Sequence, residues 1–567
     1  MSVIEAFLVA TCLPPGVNGN LAPDLDKFSG ITGWPGTEDL GAAGGYMPMT
    51  AHFPVEANGK TIAAWRGGCY FDDYYHRIHI TPASIDVGNI AAEQKIDLSI
   101  WNSALTPQTL TAVTGLDDDI TVTTPFALPF AMPALREDLH QLNLSPSGPS
   151  TIDLEIHFVF TGLPDAIVAI VGNRIVAFPW PVNWVEPVRE NFQWTTDILT
   201  SETGAEQRRA LRISPRVRLS GAALVAEEER ANLDLALSNW AANVWCVPFW
   251  PDIQTLAADA PKGSTFISCV TAGYDFAVGS LALLIGESPF DNEAVEVTAI
   301  AAHGIEIKRP TGFDWRAGTR LFPARQARLM TLPEVTRETD TVDTLAVEFQ
   351  LTETRDRTGK LPTPTYRGLP LFLDRPNEAD KLTRAQERLI ITLDNEVGKV
   401  AVIDTARRAF QTLQHSFLLA GRAALQDFLD FVYGLNGKQK AIWVPTHAAD
   451  LTLIEPASAN ALAVKRVGYP RFGLGTPGRQ DILIQMHDGS VLTRRVTAAV
   501  SDGNVERLAV DTPFPAAILP SQVARISYLI CARLASDEIE VEHLTDNHGV
   551  ARASLTWRAV RDDLEST

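Results

Sequence analysis

Trp194-Thr195-Thr196-Asp197, then Gly204, the arginines Arg208, Arg209, Arg212 and Arg216, an amphipathic run from Arg230 to Ala241, and Trp245-Cys246-Val247-Pro248: this order of landmarks occurs twice in the chain. The second passage carries Ile391-Thr392-Leu393-Asp394, Gly398, Arg407 and Arg408, an amphipathic run from Arg422 to Tyr433, and Trp443-Val444-Pro445. Gly204 precedes Trp245 by 41 residues, and Gly398 precedes Trp443 by 45. Downstream, Val297-Thr298-Ala299 with Gly304 matches Val496-Thr497-Ala498 with Gly503, 52 and 53 residues beyond the two tryptophans. Identity is low, yet colinear landmarks at near-constant spacing are what a duplicated domain leaves behind.

Each copy reads as strands, one helix, a tryptophan-bearing strand, a glycine-punctuated all-β insert and a closing strand. The first repeat is expected at 183–354 with its insert at about 255–328, a polar link follows at 355–366, and the second repeat occupies 367–562 with its insert at about 450–530. In the first, Leu233, Leu237 and Trp240 share a helix face, and Glu227, Glu228 and Glu229 sit at its N-terminus, where they complement the macrodipole. In the second, Leu425, Phe428, Leu429 and Val432 form the stripe, and Gly434 is expected to stop the helix. The closing strands alternate Leu345, Val347, Phe349 and Leu351 in one copy, and Ala551, Ala553, Leu555 and Trp557 in the other. Trp245 and Trp443 are then equivalent core residues that lock helix to sheet.

Upstream, Tyr75 to Trp180 is strand after strand. Ile96, Leu98 and Ile100 alternate with Asp97 and Ser99; Ile152, Leu154, Ile156, Phe158 and Phe160 alternate with Asp153, Glu155 and His157. That period of two means half-buried antiparallel strands, and 61–182 is expected to be an immunoglobulin-like β-sandwich without its disulfide. Residues 1–60, rich in glycine, proline and small side chains, read as an extended arm. The fold class is therefore mainly β: a sandwich followed by two tandem domains of sheet plus helix, each with an inserted small barrel.

A chain of 567 residues exceeds one hydrophobic core, and 46% hydrophobic against 20% charged residues describes a folded protein. A formal charge of −20 argues against a nucleic-acid binder, although it suits a conduit through which DNA passes without sticking. The five cysteines are widely spaced with no Cys-x-x-Cys pair, and read as buried thiols of a reducing compartment. Val3 to Leu13 is interrupted by Glu5 and too short to span a bilayer, so neither a signal peptide nor a membrane association is expected.

No Gly-x-Ser-x-Gly elbow, phosphate loop, dinucleotide fingerprint or His-Glu-x-x-His helix is present, so no enzymatic activity, catalytic metal or cofactor is expected. His76 and His79, three apart in a strand region, would face opposite sides and not one metal. Asp117-Asp118-Asp119 lacks the calcium-loop spacing and reads as a solvated turn, and Asp72 and Asp73 beside Tyr74 and Tyr75 read equally as a turn or a sugar-binding patch. Arg208, Arg209, Arg212 and Arg216 stand out in a chain short of basic residues and are candidates for an intermolecular interface, against the alternative of intradomain ion pairs. Tyr274, Phe276, Phe313 and Trp315 are the one aromatic group on an insert that could hold a ligand.

The duplicated block resembles the minor structural proteins at the tail tip of long-tailed bacteriophages. The residues that carry the resemblance are Trp194 to Arg216, the helix ending near Trp240, Trp245-Cys246-Val247-Pro248, and in the second copy Asp394 to Gly398, the helix around Phe428, Trp443-Val444-Pro445 and Gly549 to Leu555. The resemblance covers about two thirds of the chain and rests on packing patterns. It implies tail-tube-like domains, two β-sheets with a helix at the side, that form rings around the tail channel. The implied protein is a tail-tip or baseplate component, a distal tail protein or hub, assembled in the host cytoplasm and resident in the virion. Its partners would be its own copies, as a trimer forming a pseudo-hexameric ring or as a hexamer, with tail tube, tape-measure, hub and fibre proteins; DNA is passing cargo. Two other readings are a receptor- or glycan-binding adhesin built on the inserts and an all-β glycan-cleaving enzyme, which would need two carboxylates facing each other across a cleft.

Overall fold

The computed structural model describes residues 77–90, 93–117, 119–145 and 151–565, with the backbone of a short hairpin at 55–57 and 60–62. The expected N-terminal arm, His76, Asp72 and Asp73 lie outside the described residues apart from that hairpin. The protein is mainly β, with several sheets. It divides into two compact units, residues 1–174 and 175–567.

The first unit has nine labelled strands: β1 (Ile78–Thr81), β2 (Ser84–Ile90), β3 (Gln94–Asn102), β4 (Gln108–Thr114), β5 (Ile120–Thr123), β6 (Phe130–Met132), β7 (Glu137–Leu144), β8 (Thr151–Phe160) and β9 (Ala166–Arg174). They form a five-stranded sheet in the order β2-β9-β8-β4-β6 and a four-stranded sheet β1-β3-β7-β5. All pairings are antiparallel except β9 with β2. The alternation read from the sequence places Leu98, Ile100, Leu142, Ile156, Phe158 and Val168 in one core shared by both sheets. The unit ends at Arg174, short of the expected 182. Residues 175–180 run instead along the second unit, where Phe178 and Trp180 join an aromatic core; period-two alternation marks a strand but not the sheet it joins.

The first block of the second unit opens with β10 (Val176–Ala177) and β11 (Val188–Gln193), followed by a hairpin arm, β12 (Thr196–Thr200) and β13 (Glu206–Ala210). Next come β14 (Arg216–Ala226), α1 (Glu227–Trp240) and β15 (Trp245–Pro248). The inserted segment carries β16 (Gln254–Thr255), β17 (Phe266–Ser268), β18 (Leu281–Ile285), β19 (Asn292–Ala301) and β20 (Gly304–Ile307). The block closes with β21 (Arg320–Leu329), β22 (Val335–Arg337) and β23 (Val342–Leu351). A two-residue hairpin, β24 (Thr365–Tyr366) and β25 (Leu369–Pro370), leads to the second block: β26 (Thr383–Leu393), β27 (Ala401–Leu419), α2 (Arg422–Leu435) and β28 (Ile442–Pro445). Its insert holds β29 (Ala461–Lys465), α3 (Tyr469–Phe472), β30 (Asp481–Met486), β31 (Val491–Asp502) and β32 (Val505–Val510); β33 (Val523–Leu534), β34 (Glu538–His543) and β35 (Ala551–Ala559) end it.

The two blocks make the same pairings in the same order. β14 pairs β23 as β27 pairs β35, β15 pairs β21 as β28 pairs β33, and β21 pairs β23 as β33 pairs β35. In the inserts β18 pairs β19 and β21, β19 pairs β20, and β20 pairs β17; β30, β31, β33, β32 and β29 repeat that pattern. The landmarks Val297-Thr298-Ala299 and Val496-Thr497-Ala498 each contain the β-bulge of their strand. Phe178 and Phe372 hold corresponding places, each donating its N–H to the tryptophan strand at 2.9 Å, to the carbonyls of Cys246 and Trp443.

That last correspondence corrects the expected equivalence of the tryptophans. Trp245 lies opposite Ala327 and Ile442 lies opposite Ala532, whereas Trp443 lies opposite Cys531, so Trp443 corresponds to Cys246. A shift of one residue turns a side chain to the other face. Trp245 therefore packs on the helix side with Leu233, Trp240 and Phe349, while Trp443 packs on the opposite face with Tyr366, Leu371 and Leu483. Gly304 and Gly503 also part company: Gly304 is a strand residue opposite Ala301, and Gly503 forms the turn of a longer hairpin at φ +65°. α2 does not stop at Gly434. It ends one residue later, with Asn436 in the left-handed conformation, and Gly434 is required because the backbone of Lys360 crosses within 3.1 Å of where a Cβ would stand.

Candidate interaction surface

The blocks meet edge to edge. β11 of the first pairs antiparallel with β34 of the second over six residues, Val188 opposite His543 through Gln193 opposite Glu538, so one sheet runs through both. Phe192 of β11 and Trp194 just beyond it continue into the second block's core and pack with α2, their rings meeting that of Tyr433 edge-on at 5.8 and 5.6 Å. The link is part of this seam. Arg355 is buried with ion pairs to Glu190 and Asp275, and Arg357 bonds Asp430 of α2 at 3.1 Å.

The first block's arm, β12 and β13, lies on the flank of the second. Glu206 accepts two 2.7 Å hydrogen bonds from Arg533, with Arg208 and Arg558 each 3.8 Å away. Burial pushes the Glu206 carboxyl up, but the hydrogen bonds and charge of Arg533, with Arg208 and Arg558, outweigh it and hold the group below its usual range. Asp537 accepts from the N–H and hydroxyl of Thr196, both at 2.8 Å. Gly204, at φ +75°, presses its backbone on the Phe410 ring, which stands 2.2 Å from where a Cβ would be. On the other side of the seam, Arg422 at the start of α2 bonds Asp252 at 2.8 Å and covers the Tyr274 ring at 3.7 Å.

The four arginines separate along these lines. Arg208 pairs with Glu565 and Arg212 donates to the Gln193 carbonyl at 3.3 Å, so both are committed within the chain. Arg209 and Arg216 are exposed, Arg216 beside an open groove lined by Leu211, Ile213, Gln350 and Asp356. The aromatic group does not assemble into an exposed patch. Phe276 and Trp315 are buried in the insert's own core, Trp315 donating to Glu293 at 2.6 Å, and the Tyr274 hydroxyl is bonded to Asn547 across the seam. Phe313 alone of the four is open to solvent, beside a groove of about 1010 Å³ that also exposes Phe290. Trp245 and Trp443 are buried. Among the described residues no three His, Cys, Asp or Glu side chains are grouped to hold a metal, and no helix is long and apolar enough to cross a membrane.

The second block has its own arm, the distal halves of β26 and β27 with the turn between them, and it is exposed on both faces. Ile391, Leu393 and Ile403 lie on one face of the hairpin and Ile390 and Val402 on the other, all between 45% and 62% exposed, with Val397 at the tip 92% exposed. Sequence reading overlooked this arm because its apolar residues fall on both faces; the adjacent Ile390 and Ile391, which break the alternation, were the available signal. The chain matches no protein-family model, and no curated protein matches it.

Proposed function

We propose that this chain is a structural component of a bacteriophage tail tip or baseplate, a ring around the DNA channel that joins the tail tube to hub, spike or fibres. In this reading each block is a tail-tube-like β-sandwich with a helix at its side and a small inserted barrel, and the first unit is an immunoglobulin-like sandwich that, with the inserts, serves as attachment for fibres or neighbouring tip proteins. The observation that carries it is the β11–β34 seam: two blocks of one connectivity joined side by side, each offering a different edge, which is the heterologous contact from which rings are made. Three chains would supply six similar lobes and reconcile a six-fold tube with a three-fold spike. The charge of −20 suits a channel that does not hold DNA. No catalytic group or cofactor is invoked. Cryo-electron microscopy of the assembled particle tests this: three copies per ring are expected, six copies would favour blocks stacked along the axis, and a monomer outside the tail overturns it.

A second reading, glycan binding by the first insert, is favoured by the groove between Phe290 and Phe313, whose lining includes Asp291, Asp314, Arg316 and Arg320. Screening the purified protein on a glycan array, with Phe313→Ala as control, decides it.

A further inference from the structure

The seam inside the chain has used one edge and one arm of the first block and one flank of the second. Among the described residues the complementary surfaces, the edge and arm of the second block and the flank of the first, are left open. Among the described residues β26 pairs with β27 alone, and it is exposed along nearly its whole length. On the first block's flank β22 is exposed at every residue, Met330, Leu332 and Val335 are exposed apolar residues, and Leu332 reaches 71%. Strand pairing sets the correspondence. Counted from Leu219 opposite Phe349 and Leu413 opposite Trp557, Arg216 stands where Phe410 receives the first arm. Counted from Ala327 opposite Leu351 and Ala532 opposite Ala559, Arg328 stands where Arg533 grips Glu206.

We propose that the arm and edge of the second block dock on the first block's flank of another copy of this chain, β26 lying along β22, repeating between chains the junction that β11 and β34 make within one. Three observations select a second copy as the occupant. The internal junction shows that the edge and arm of one block can seat on the flank of a block of the same connectivity. The uncovered apolar residues on these blocks include clusters on the two surfaces the repetition would bury, and an apolar two-stranded hairpin left in water is marginally stable. The charges agree: Asp394 and Glu396 are exposed at the arm tip, and Arg216 and Arg328 are exposed on the flank, the polarity of the Glu206–Arg533 contact. Arg216 thereby takes the intermolecular role, while Arg208 keeps an internal one. The docking contact stands on the junction geometry alone; its closure into a ring rests on the tail-tip reading.

Sedimentation velocity of the full chain and of Ile391→Asp/Ile403→Asp is the first test, since these two residues face each other on the exposed side of the arm and belong to none of the chain's buried cores. The variant is expected to sediment with the mass of one chain, about a three-fold drop where the wild type closes as a ring of three, and the cores outside the arm are expected to keep their hydrogen-exchange protection. The second test mixes two chains, one carrying Leu393→Cys and the other Leu332→Cys, with a bismaleimide; Cys246, Cys269 and Cys531 are buried, and the two remaining native cysteines, Cys12 and Cys69, are replaced by serine in both chains, so a heterodimer band appears only where arm meets flank. A wild-type monomer at all concentrations, or an oligomer that survives the double substitution without the crosslink, overturns the docking. Crosslinked open chains in electron micrographs uphold the docking and overturn the ring; uncrosslinked rings do the reverse.

Discussion

Replacing Glu206 by alanine should release the first block's arm from the second block. Glu206 and Arg533 are 6% and 3% exposed, and their two 2.7 Å hydrogen bonds are parallel and bidentate. Without the carboxylate, Arg208 keeps Glu565 and Arg558 keeps Glu387, but Arg533 retains only the carbonyl of Leu534 among the described residues. A buried charge stripped of its partner costs about 3–5 kcal/mol. The arm's opening equilibrium should therefore shift by roughly 10²- to 4 × 10³-fold, at about 1.4 kcal/mol per decade. Native-state hydrogen exchange reads this locally, at the amides of 196–200 and 206–210 that pair within the arm, whereas global unfolding of so long a chain is not one transition. Glu206→Leu with Arg533→Met, which removes both charges, should restore most of the protection. Protection unchanged within a few-fold in Glu206→Ala would refute the view that this pair holds the arm.

Gly204→Val places a β-branched residue at φ +75° against the Phe410 ring and should cost about 1–3 kcal/mol, read as a lower denaturant midpoint; Phe410→Ala relieves the clash but not the backbone strain. Burial lowers the pKa of His415 to about 4, and burial, aided by His415, Arg525 and Arg375, lowers that of His447 to about 3. Both are depressed below the ordinary value of 6.5, so the unfolded chain takes up these protons first; stability is full above pH 6.5 and falls as pH drops towards 4, by on the order of 3 kcal/mol for His415. Calorimetry from pH 7 to 4 should show this slope, shallower in His415→Phe. Trp245→Ala should cost about 3–5 kcal/mol by emptying the aromatic core around Phe178, and loosen α1 in exchange measurements, whereas Trp443→Ala should leave α2 protected because its side chain lies on the other face.

The sequence displayed order better than register. Landmarks such as the bulge tripeptides and the Leu425-Phe428-Leu429-Val432 stripe lie in corresponding elements because turns, bulges and helix faces demand particular residues locally. The tryptophan strands carry no such mark: all four residues of Trp245-Cys246-Val247-Pro248 and of Ile442-Trp443-Val444-Pro445 are buried, so no alternation says which side faces the helix. The bulky residue catches the eye, while the shared proline holds the register. The aromatic group around Phe313 misled for a related reason, since burial is decided by strands that pair across the insert. The seam itself joins residues about 350 positions apart and has no local signature; Glu206 and Arg533 become partners only when both blocks have folded.

Because both lobes of the seam belong to one polypeptide, half of the contacts in any assembly that repeats it form without a collision between molecules. They form at an effective concentration set by the short 355–366 tether and not by the amount of protein in the cell. An assembly built this way also counts in twos: a closed circle can hold four, six or eight lobes, never five or seven, so one covalent link removes every odd-numbered miscount before the first two chains have met.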